Sequence, residues 1–410
     1  MRIFNIGIVL LSGIFLACSS IAFAKVTGDT ITLGAAVSLT GKYSTNGKHT
    51  KNGYELAKNK LNAAGGVKVG GKSYKLDIIY YDDESTPARA AQLAERLIKQ
   101  DGVKFMLGPY SSGLTKAIAP VTEKYKIPMV EANGASRSLF TKGYRYMFAI
   151  LTSADQYLAS AVDLAAAAAE AKGKSASSLK VAMIFENDPF SQDVRLGVVE
   201  AYKNHGMKAV VDDKLPKNID DMSASLAKVK ATRPDILIVS GHSKGAATAI
   251  RQISQMRVDV PMLAMTHCDS AGYKEKFGDA AEYTLCAAQW HKSLSYSDSL
   301  FGSAADYAVT FKGVYNYDPP YQAAESSAAL QVWKDAFERA QSFDTDKLRD
   351  ALAVTKMQTF YGNISFDSTG KNLGKPMVLF QVLDGKYKVV SPPKWASTKL
   401  VHPRPKWSER

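Results

Sequence analysis

The feature that most constrains this chain is a regular alternation of short apolar segments with longer amphipathic ones. Thr30–Val37 (TITLGAAV) is an almost continuous apolar run, as expected of a parallel strand that is covered on both faces. Glycines at Gly65 and Gly66 end the helix that is predicted to follow it. The alternation predicts strands at 30–37, 75–82, 104–107, 128–131 and 145–150, and helices at 46–63, 87–99 and 113–125. Such a series is typical of a doubly wound α/β unit.

The alternation then begins a second time. It predicts strands at 179–185, 208–212, 235–240, 262–265 and 283–288, and helices at 154–171, 190–204, 220–231 and 245–256. Helical segments follow at 303–314, 321–341 and 344–354. The chain closes with two apolar runs, 377–382 and 387–390, around Asp384-Gly385, a dipeptide that favours a tight hairpin turn.

Two α/β units of similar size predict two doubly wound, Rossmann-like lobes joined by a hinge that the chain crosses several times. We expect residues 25–149 with 290–358 in the first lobe and 150–289 with 359–395 in the second. Residues 396–410 are expected to form a C-terminal tail, and the segment from Pro392 to Arg410, rich in proline and lysine, is expected to wrap or fray. Ligands of open α/β sheets bind beyond the carboxyl ends of the strands, so the expected site is the cleft between the lobes.

The N-terminus carries the three parts of a secretory signal. Arg2 is the basic part, residues 6–17 (IGIVLLSGIFLA) are the apolar part, and Ala22-Phe23-Ala24 supplies small residues for cleavage after Ala24. The apolar part is too short for a stable membrane span. Cys18 loosely matches a lipidation site, but Phe15 fits that signal poorly. We therefore expect an exported, periplasmic protein.

Composition and charge exclude several classes of protein. Among 410 residues, 46% are hydrophobic and 22% are charged, which excludes a mainly disordered or coiled-coil chain. A net charge of +13 could indicate a nucleic-acid-binding protein. However, the basic residues are spread singly along the sequence, and no zinc-finger or RNP-type motif occurs. We expect no nucleic-acid partner. Export leaves Cys268 and Cys286, which either pair in an oxidising compartment or remain buried thiols.

Small and hydroxyl-bearing residues follow the predicted strands of the first lobe. Gly108-Pro109-Tyr110-Ser111-Ser112 leads into a helix, and Asn133-Gly134-Ala135-Ser136-Arg137 follows the next strand. Serines at a helix start lie beside free backbone N–H groups, an arrangement that suits an anion such as a carboxylate. The alternative is that Ser111 or Ser112 only caps the helix.

Taken together, these segments resemble a known family, the type 1 periplasmic binding proteins. The resemblance is to the Leu/Ile/Val-binding proteins that feed ABC importers. It covers nearly the whole mature chain and is carried by 34–66, Tyr81-Asp82-Asp83, 108–115 and Gly134-Ala135-Ser136. It implies a monomer that binds a small carboxylate ligand, such as a branched-chain or other amino acid, and delivers it to permease subunits without catalysis or cofactor.

The resemblance also assigns roles to individual residues. It assigns contact with the ligand carboxylate to residues of the first lobe, Ser111, Ser112, Ala135 and Ser136. It assigns the wall of the site in the second lobe to Phe190, His242, Thr266 and His267. It assigns selectivity for the ligand side chain to Tyr43 and Asn46.

One departure from the family pattern bears on the ligand. The family's acidic partner for an α-amino group falls at Thr266, or at His267 if the loop shifts by one residue, and neither is a carboxylate. A buried unpaired ammonium is costly. Either Asp269 substitutes, or the ligand is a carboxylate without an α-amine, such as a keto or aromatic acid, bound for import or sensing.

Two rival interpretations rest on local motifs. Gly241-His242-Ser243-Lys244-Gly245 matches the G-x-S-x-G pattern of serine hydrolases, with His291 and His402 downstream, but no oxyanion loop of the HGGG type precedes it. A metal site drawn from His242, His267, Cys268 and Asp269 matches no standard ligand spacing. We therefore expect neither an enzyme nor a metal protein.

Overall fold

Seven strands and three helices form the first half of the fold. A computed structural model describes residues 25–269 and 273–410, so the predicted signal peptide, its cleavage site and Cys18 lie outside the described residues. The strands are β1 (Val26–Thr27), β2 (Thr30–Val37), β3 (Val67–Val69), β4 (Lys72–Asp82), β5 (Met106–Leu107), β6 (Met129–Glu131) and β7 (Met147–Ala149). The helices are α1 (Ser44–Ala63), α2 (Pro87–Lys99) and α3 (Ser112–Lys124).

The first sheet has the order β3-β4-β2-β5-β6-β7, with β1 added to β2. Strands β4, β2, β5, β6 and β7 run parallel. Seven of the eight residues of β2 are buried, which explains why its sequence lacks the alternation of a strand with one wet face.

The second half repeats the plan. Its parallel strands are β8 (Lys180–Glu186), β9 (Lys208–Leu215), β10 (Ile236–Ser240), β11 (Met262–Thr266) and β12 (Leu285–Ala288). Its helices are α4 (Ala159–Glu170), α5 (Pro189–Asn204), α6 (Ser223–Thr232), α7 (Ser243–Gln255) and α8 (Tyr273–Phe277). The predicted helix 154–171 is divided into a 3-10 turn, Ala154–Gln156, and α4.

The rest of the chain returns to both lobes. It forms β13 (Ser297–Asp298), β14 (Gly302–Ser303), α9 (Ala304–Tyr315), α10 (Tyr321–Ala340), α11 (Thr345–Ala353), β15 (Lys356–Thr359), β16 (Gly362–Ser365), β17 (Val378–Leu383) and β18 (Lys386–Ser391). The second sheet is completed antiparallel, in the order β18-β17-β12-β11-β10-β8-β9. The expected α/β class with two doubly wound lobes is confirmed.

Helix α10 belongs to the first lobe. Its Trp333 Nε1 donates to the Met106 carbonyl at 3.2 Å, and the ring of Phe337 lies 4.9 Å from that of Phe105. We expected the chain to cross to the second lobe at 359, but Lys371 still bridges Ala149 at the edge of the first sheet. The chain joins the second sheet only at β17, because the β15–β16 hairpin, which we did not predict, keeps it beside the first lobe.

Three chain crossings form the hinge, and a pair of hydrogen bonds ties them together. The Thr152 N–H donates to Gln289 Oε1 at 3.0 Å, and the Thr152 hydroxyl donates to the Lys375 carbonyl at 2.9 Å. The three crossings therefore form one hydrogen-bonded unit.

The C-terminal tail wraps around the second lobe. The Arg404 N–H donates to the Pro261 carbonyl at 2.8 Å, and Trp407 Nε1 donates to the Val258 carbonyl at 3.1 Å. Among the described residues, no helix is both long and apolar enough to cross a membrane.

Candidate functional site

The carboxyl ends of the two parallel sheets face each other across a small cavity. Its volume is about 10 Å³, close to the room that one water molecule needs. Both lobes contribute to its wall, the first lobe in part through helix α10. The lining residues are Tyr110, Ser111, Ser112, Asn133, Tyr157, Phe190, His242, His267, Tyr321 and Glu325. The structure is thus a closed form, in which the side chains of the two lobes meet.

Two serines present the start of α3 to the cavity. Ser111 is the N-cap residue, with φ of +88°, and its Oγ accepts a 3.4 Å hydrogen bond from the Leu114 N–H. Positive φ is uncommon for a residue other than glycine. Ser112 is the first residue of the helix, and its Oγ accepts from the Ser136 N–H at 2.9 Å. Both serines therefore lie where backbone N–H groups and the helix dipole favour an anion.

A buried carboxylate fixes the two loops that follow β5 and β6. Glu131 accepts from the Gly134 N–H at 2.7 Å and from the Thr115 hydroxyl at 2.9 Å. A Cβ on Gly108 would lie 2.1 Å from this carboxylate, so the first loop needs a glycine there. Burial raises the pKa of Glu131 to about 7, although its hydrogen bonds favour the ionised form. Glu131 thereby sets the position of the serines.

Ser136 and Ala135 lie outside the cavity. The Ser136 hydroxyl donates to Asp193 of α5 and lies 2.8 Å from the Ser138 hydroxyl, while the Ala135 carbonyl accepts from the Ala154 N–H at 2.7 Å. The predicted Ser136 hydroxyl is thus engaged across the cleft, and only its backbone N–H supports the cavity, through Ser112.

The Tyr110 hydroxyl contacts side chains of both lobes. It accepts from Asn46 Nδ2 at 2.6 Å and lies 2.8 Å from both His242 Nδ1 and His267 Nε2. The Ser243 hydroxyl also crosses the cleft, donating to Asn46 Oδ1 at 2.9 Å. Tyr110 was not among the predicted site residues, although its place three residues after β5 was a usable signal.

The two histidines differ in their surroundings. His242 Nε2 lies 3.5 Å from Asp188 Oδ1. Burial acts to raise the pKa of Asp188, but His242 and hydrogen bonds from Ser191 hold it below its usual value. Burial and the neighbouring His242 lower the pKa of His267 to about 3, so that imidazole is neutral near pH 7.

Thr266 is turned away from the cavity. Its hydroxyl donates to the Gly241 carbonyl at 2.9 Å and lies 3.3 Å from the Ser240 hydroxyl. It joins the ends of β10 and β11 and does not line the cavity.

Aromatic rings form much of the wall. The Phe190 ring lies 5.0 Å from that of Tyr157 and 5.4 Å from that of His267. Asp188 caps α5 by accepting from the Phe190 N–H at 2.9 Å, and this fixes the start of that helix. Tyr43 stands behind the wall, with its ring 4.6 Å from that of His242.

Four further lining residues were not predicted from the sequence: Asn133, Tyr157, Tyr321 and Glu325. Asn133 follows a strand in a loop that was singled out, so position alone could have indicated it. Tyr321 and Glu325 come from a late helix, and no sequence signal places that helix at the cleft.

Cys268 and Cys286 are joined in a disulfide that links the segment after β11 to β12, with their Cα atoms 5.6 Å apart. A cysteine in a disulfide supplies no thiolate, so the metal site drawn from Cys268 loses a ligand. Among the described residues, no group of three or more His, Cys, Asp or Glu side chains could hold a metal ion.

The residues proposed for a hydrolase are dispersed. His291 Nδ1 lies 2.8 Å from the Ser293 hydroxyl, and its ring lies 5.7 Å from that of Phe380. His402 lies in the C-terminal tail, where its carbonyl accepts from Lys172 Nζ at 3.4 Å. Neither of these contacts involves Ser243, whose hydroxyl donates to Asn46.

Comparison with known proteins agrees with this geometry. The model of the periplasmic binding protein family matches residues 30–386. The chain belongs to this family. It is 24% identical over 367 residues to the leucine-, isoleucine-, valine-, threonine- and alanine-binding protein of Pseudomonas aeruginosa, covering 88% of this chain and 92% of that one. It is 23% identical to Leu/Ile/Val-binding protein homolog 8 of Brucella suis, covering 94% and 96%.

Solved structures share the fold. The branched-chain amino acid transporter substrate-binding protein LivJ of Streptococcus pneumoniae, in complex with isoleucine, gives a TM-score of 0.75 at 22% identity, covering 88% of this chain and all of that one. A solute-binding protein of R. palustris, in complex with benzoate, gives 0.75 at 18% identity, covering 88% and 95%. The relatives are solute-binding proteins.

Proposed function

We propose that the protein captures an amino acid or a related small carboxylate between its lobes and delivers it to an ABC permease. The observation that carries this proposal is the closed cavity at the carboxyl ends of both sheets, with the start of α3 in its wall. The chain would reach the periplasm through the N-terminal signal, with cleavage after Ala24.

The ligand carboxylate is assigned to the serine end of the cavity. Ser111 and Ser112 supply hydroxyls beside the backbone N–H groups of α3, and Ser136 orients Ser112 through its own N–H. Ala135 holds the neighbouring loop in place. This arrangement supports carboxylate binding in the first lobe before closure.

The remaining predicted residues complete the site from the other side. Phe190, His242 and His267 would cover the ligand from the second lobe, and Thr266 holds the loop that carries His267. Tyr43 and Asn46 would act from behind, through His242 and Tyr110. Closure is a population shift, driven by the higher affinity of the closed form for the ligand.

A second candidate ligand is a carboxylate without an amine. The aromatic wall of Tyr157, Phe190 and Tyr321 suits a ring, and neither Thr266 nor His267 carries negative charge. The R. palustris neighbour in complex with benzoate is consistent with this candidate. The S. pneumoniae neighbour in complex with isoleucine is consistent with the first.

A thermal-shift screen of the mature protein tests the function. Each amino acid is assayed beside its 2-oxo and desamino counterparts and beside benzoate. A ligand at 100 times its dissociation constant stabilises the folded state by about 2.7 kcal/mol, so the midpoint should rise visibly for at least one carboxylate. A screen in which no carboxylate shifts the midpoint contradicts the proposal.

A further inference from the structure

One carboxyl group lines the cavity, and one of its oxygens faces no partner. Glu325 of α10 is fully buried. Its Oε2 accepts from the Tyr361 hydroxyl at 3.2 Å, whereas Oε1 has no hydrogen-bond partner among the described residues. A buried acceptor without a donor is costly unless a ligand supplies one.

A second unpartnered acceptor lines the same cavity. Asn133 Nδ2 donates at 3.0 Å to the Ser326 hydroxyl, which itself donates to the Gln322 carbonyl at 2.7 Å. Because the hydrogen of Ser326 is already used, Ser326 accepts from Asn133, and this fixes the orientation of the amide. Asn133 Oδ1 is then an acceptor, and it has no partner among the described residues.

The acidic side chains of Asp188 and Asp269 do not line the inner cavity, although Asp188 Oδ2 and Asp269 Oδ1 also have no hydrogen-bond partner among the described residues. Asp188 caps α5 and faces His242. Asp269 lies in a separate, outer cleft of about 690 Å³. Among the ten residues that line the inner cavity, Glu325 is therefore the only one with a carboxyl group.

A buried cation lies close enough to Glu325 to interact with its charge. Lys375 Nζ donates to the Gln289 carbonyl and lies 4.2 Å from the centre of the Tyr361 ring. Burial raises the pKa of Glu325 well above its usual value, against the opposing charge of Lys375. Burial also lowers the pKa of Lys375 to about 7. A further cation on the cavity side would favour the ionised carboxylate.

We infer that Glu325 Oε1 and Asn133 Oδ1 bind the α-ammonium group of the ligand, so that the solute is an α-amino acid. This inference rests on the proposed function and narrows it. The first lobe and its helix α10 then hold both charged ends of the zwitterion, with the carboxylate on Ser111 and Ser112. The second lobe needs no acidic residue, which accounts for Thr266 and His267 at the position where the family places one.

The test is calorimetric titration of the wild type and Glu325→Gln with matched ligands. The probes are L-leucine and L-phenylalanine, their 2-oxo acids, and the desamino acids 4-methylpentanoate and 3-phenylpropanoate. Glutamine keeps the size and an acceptor toward Tyr361 but removes the charge. We expect E325Q to lose at least about tenfold in affinity for the amino acid that binds, with little change for its desamino counterpart. The exposed Glu200→Gln is the matched control and should change neither.

A second measurement needs no variant, in case E325Q does not fold. Titration of the wild type in buffers of different ionisation enthalpy at pH 7 should show proton release with the amino acid and less with the desamino acid, because the ammonium ionises Glu325. Equal affinity of E325Q and the wild type for the amino acid, or equal proton release by both ligands, would overturn the inference. If the wild type binds only the acids that lack an amine, the inference is overturned but the proposed function still holds. A wild type that binds no probe of either class overturns both.

Discussion

At the residue scale, the serines at the start of α3 are the first determinant of affinity. Replacing Ser111 and Ser112 together with alanine removes two hydroxyls from the proposed carboxylate site, each able to form a hydrogen bond to a charged group. Such bonds contribute roughly 1.5–3 kcal/mol each, so we expect binding to weaken by at least about 100-fold in a calorimetric titration. Ser177→Ala is the control, because Ser177 is exposed and its hydroxyl contacts that of Ser175, away from the cavity. Unchanged affinity in the double variant would refute the carboxylate assignment.

His267 makes closure sensitive to pH. Its pKa is lowered from 6.5 to about 3 in the closed form, chiefly by burial, and opening the cleft exposes the imidazole. Because the pKa of His267 is lower in the closed form than in the open form, this group favours the closed form above pH 6.5. That contribution is lost as the pH falls toward 3, because only the open form binds the proton over this range. The linkage predicts that ligand affinity falls about 30-fold between pH 8 and pH 5 through this group alone.

The variant His267→Gln isolates that effect. Asp269 also flanks the cleft, and burial raises its pKa, so its contribution has the opposite sign. Affinity measured from pH 5 to pH 8 should therefore fall less steeply on acidification in H267Q than in the wild type. Parallel pH profiles would show that His267 does not titrate on closure.

Position after a strand allowed part of the site to be predicted, but side-chain direction did not follow from it. The family resemblance assigned Ser111, Ser112, Phe190, His242 and His267 to the site, each within a few residues after a predicted strand, and all five line the cavity. Ser136 and Thr266 fulfil the same criterion but turn toward Asp193 and Gly241. Those partners lie 57 and 25 residues away along the chain, so no local pattern reveals them.

At the scale of elements, turn chemistry was the most reliable signal and short edge strands the least. Asp384 and Gly385 have φ of +54° and +64°, as a two-residue hairpin of this type requires, and the strands lie where the dipeptide indicated. Strands β3, β15 and β16 have three or four residues each, too few for a periodic pattern to emerge. Missing the last two also misplaced the final crossing between the lobes.

The C-terminal tail should contribute to stability but not to binding. Trp407 joins it to the second lobe through the Val258 carbonyl and through Asp259, which accepts from the Trp407 N–H at 2.9 Å. We expect Trp407→Ala to lower the free energy of unfolding by about 2 kcal/mol, from lost apolar burial and one lost hydrogen bond. Urea denaturation measures the change, and a titration with ligand should give the wild-type affinity. A loss of affinity would show that the tail acts on the cleft.

At the scale of the whole molecule, bonds that cross the cleft set the balance between open and closed forms. The Ser136 hydroxyl bonds to Asp193 of the other lobe and does not line the cavity. Ser136→Ala should therefore weaken all ligands by the same factor, roughly 3–10-fold, because it removes a bond of the closed form alone. The measurement is the ratio of affinities for two ligands, which should stay at its wild-type value. A changed ratio would mean that Ser136 contacts the ligand.

Small-angle X-ray scattering of the mature protein, with and without saturating ligand from the thermal-shift screen, tests the central claim that the lobes close on a small carboxylate. A cavity of about 10 Å³ cannot admit an amino acid, so the ligand must enter an open form and draw the lobes together. We expect a smaller radius of gyration and a shorter maximum dimension with ligand, and no change with an equal concentration of the corresponding amide. An identical scattering profile with a bound carboxylate ligand would contradict it.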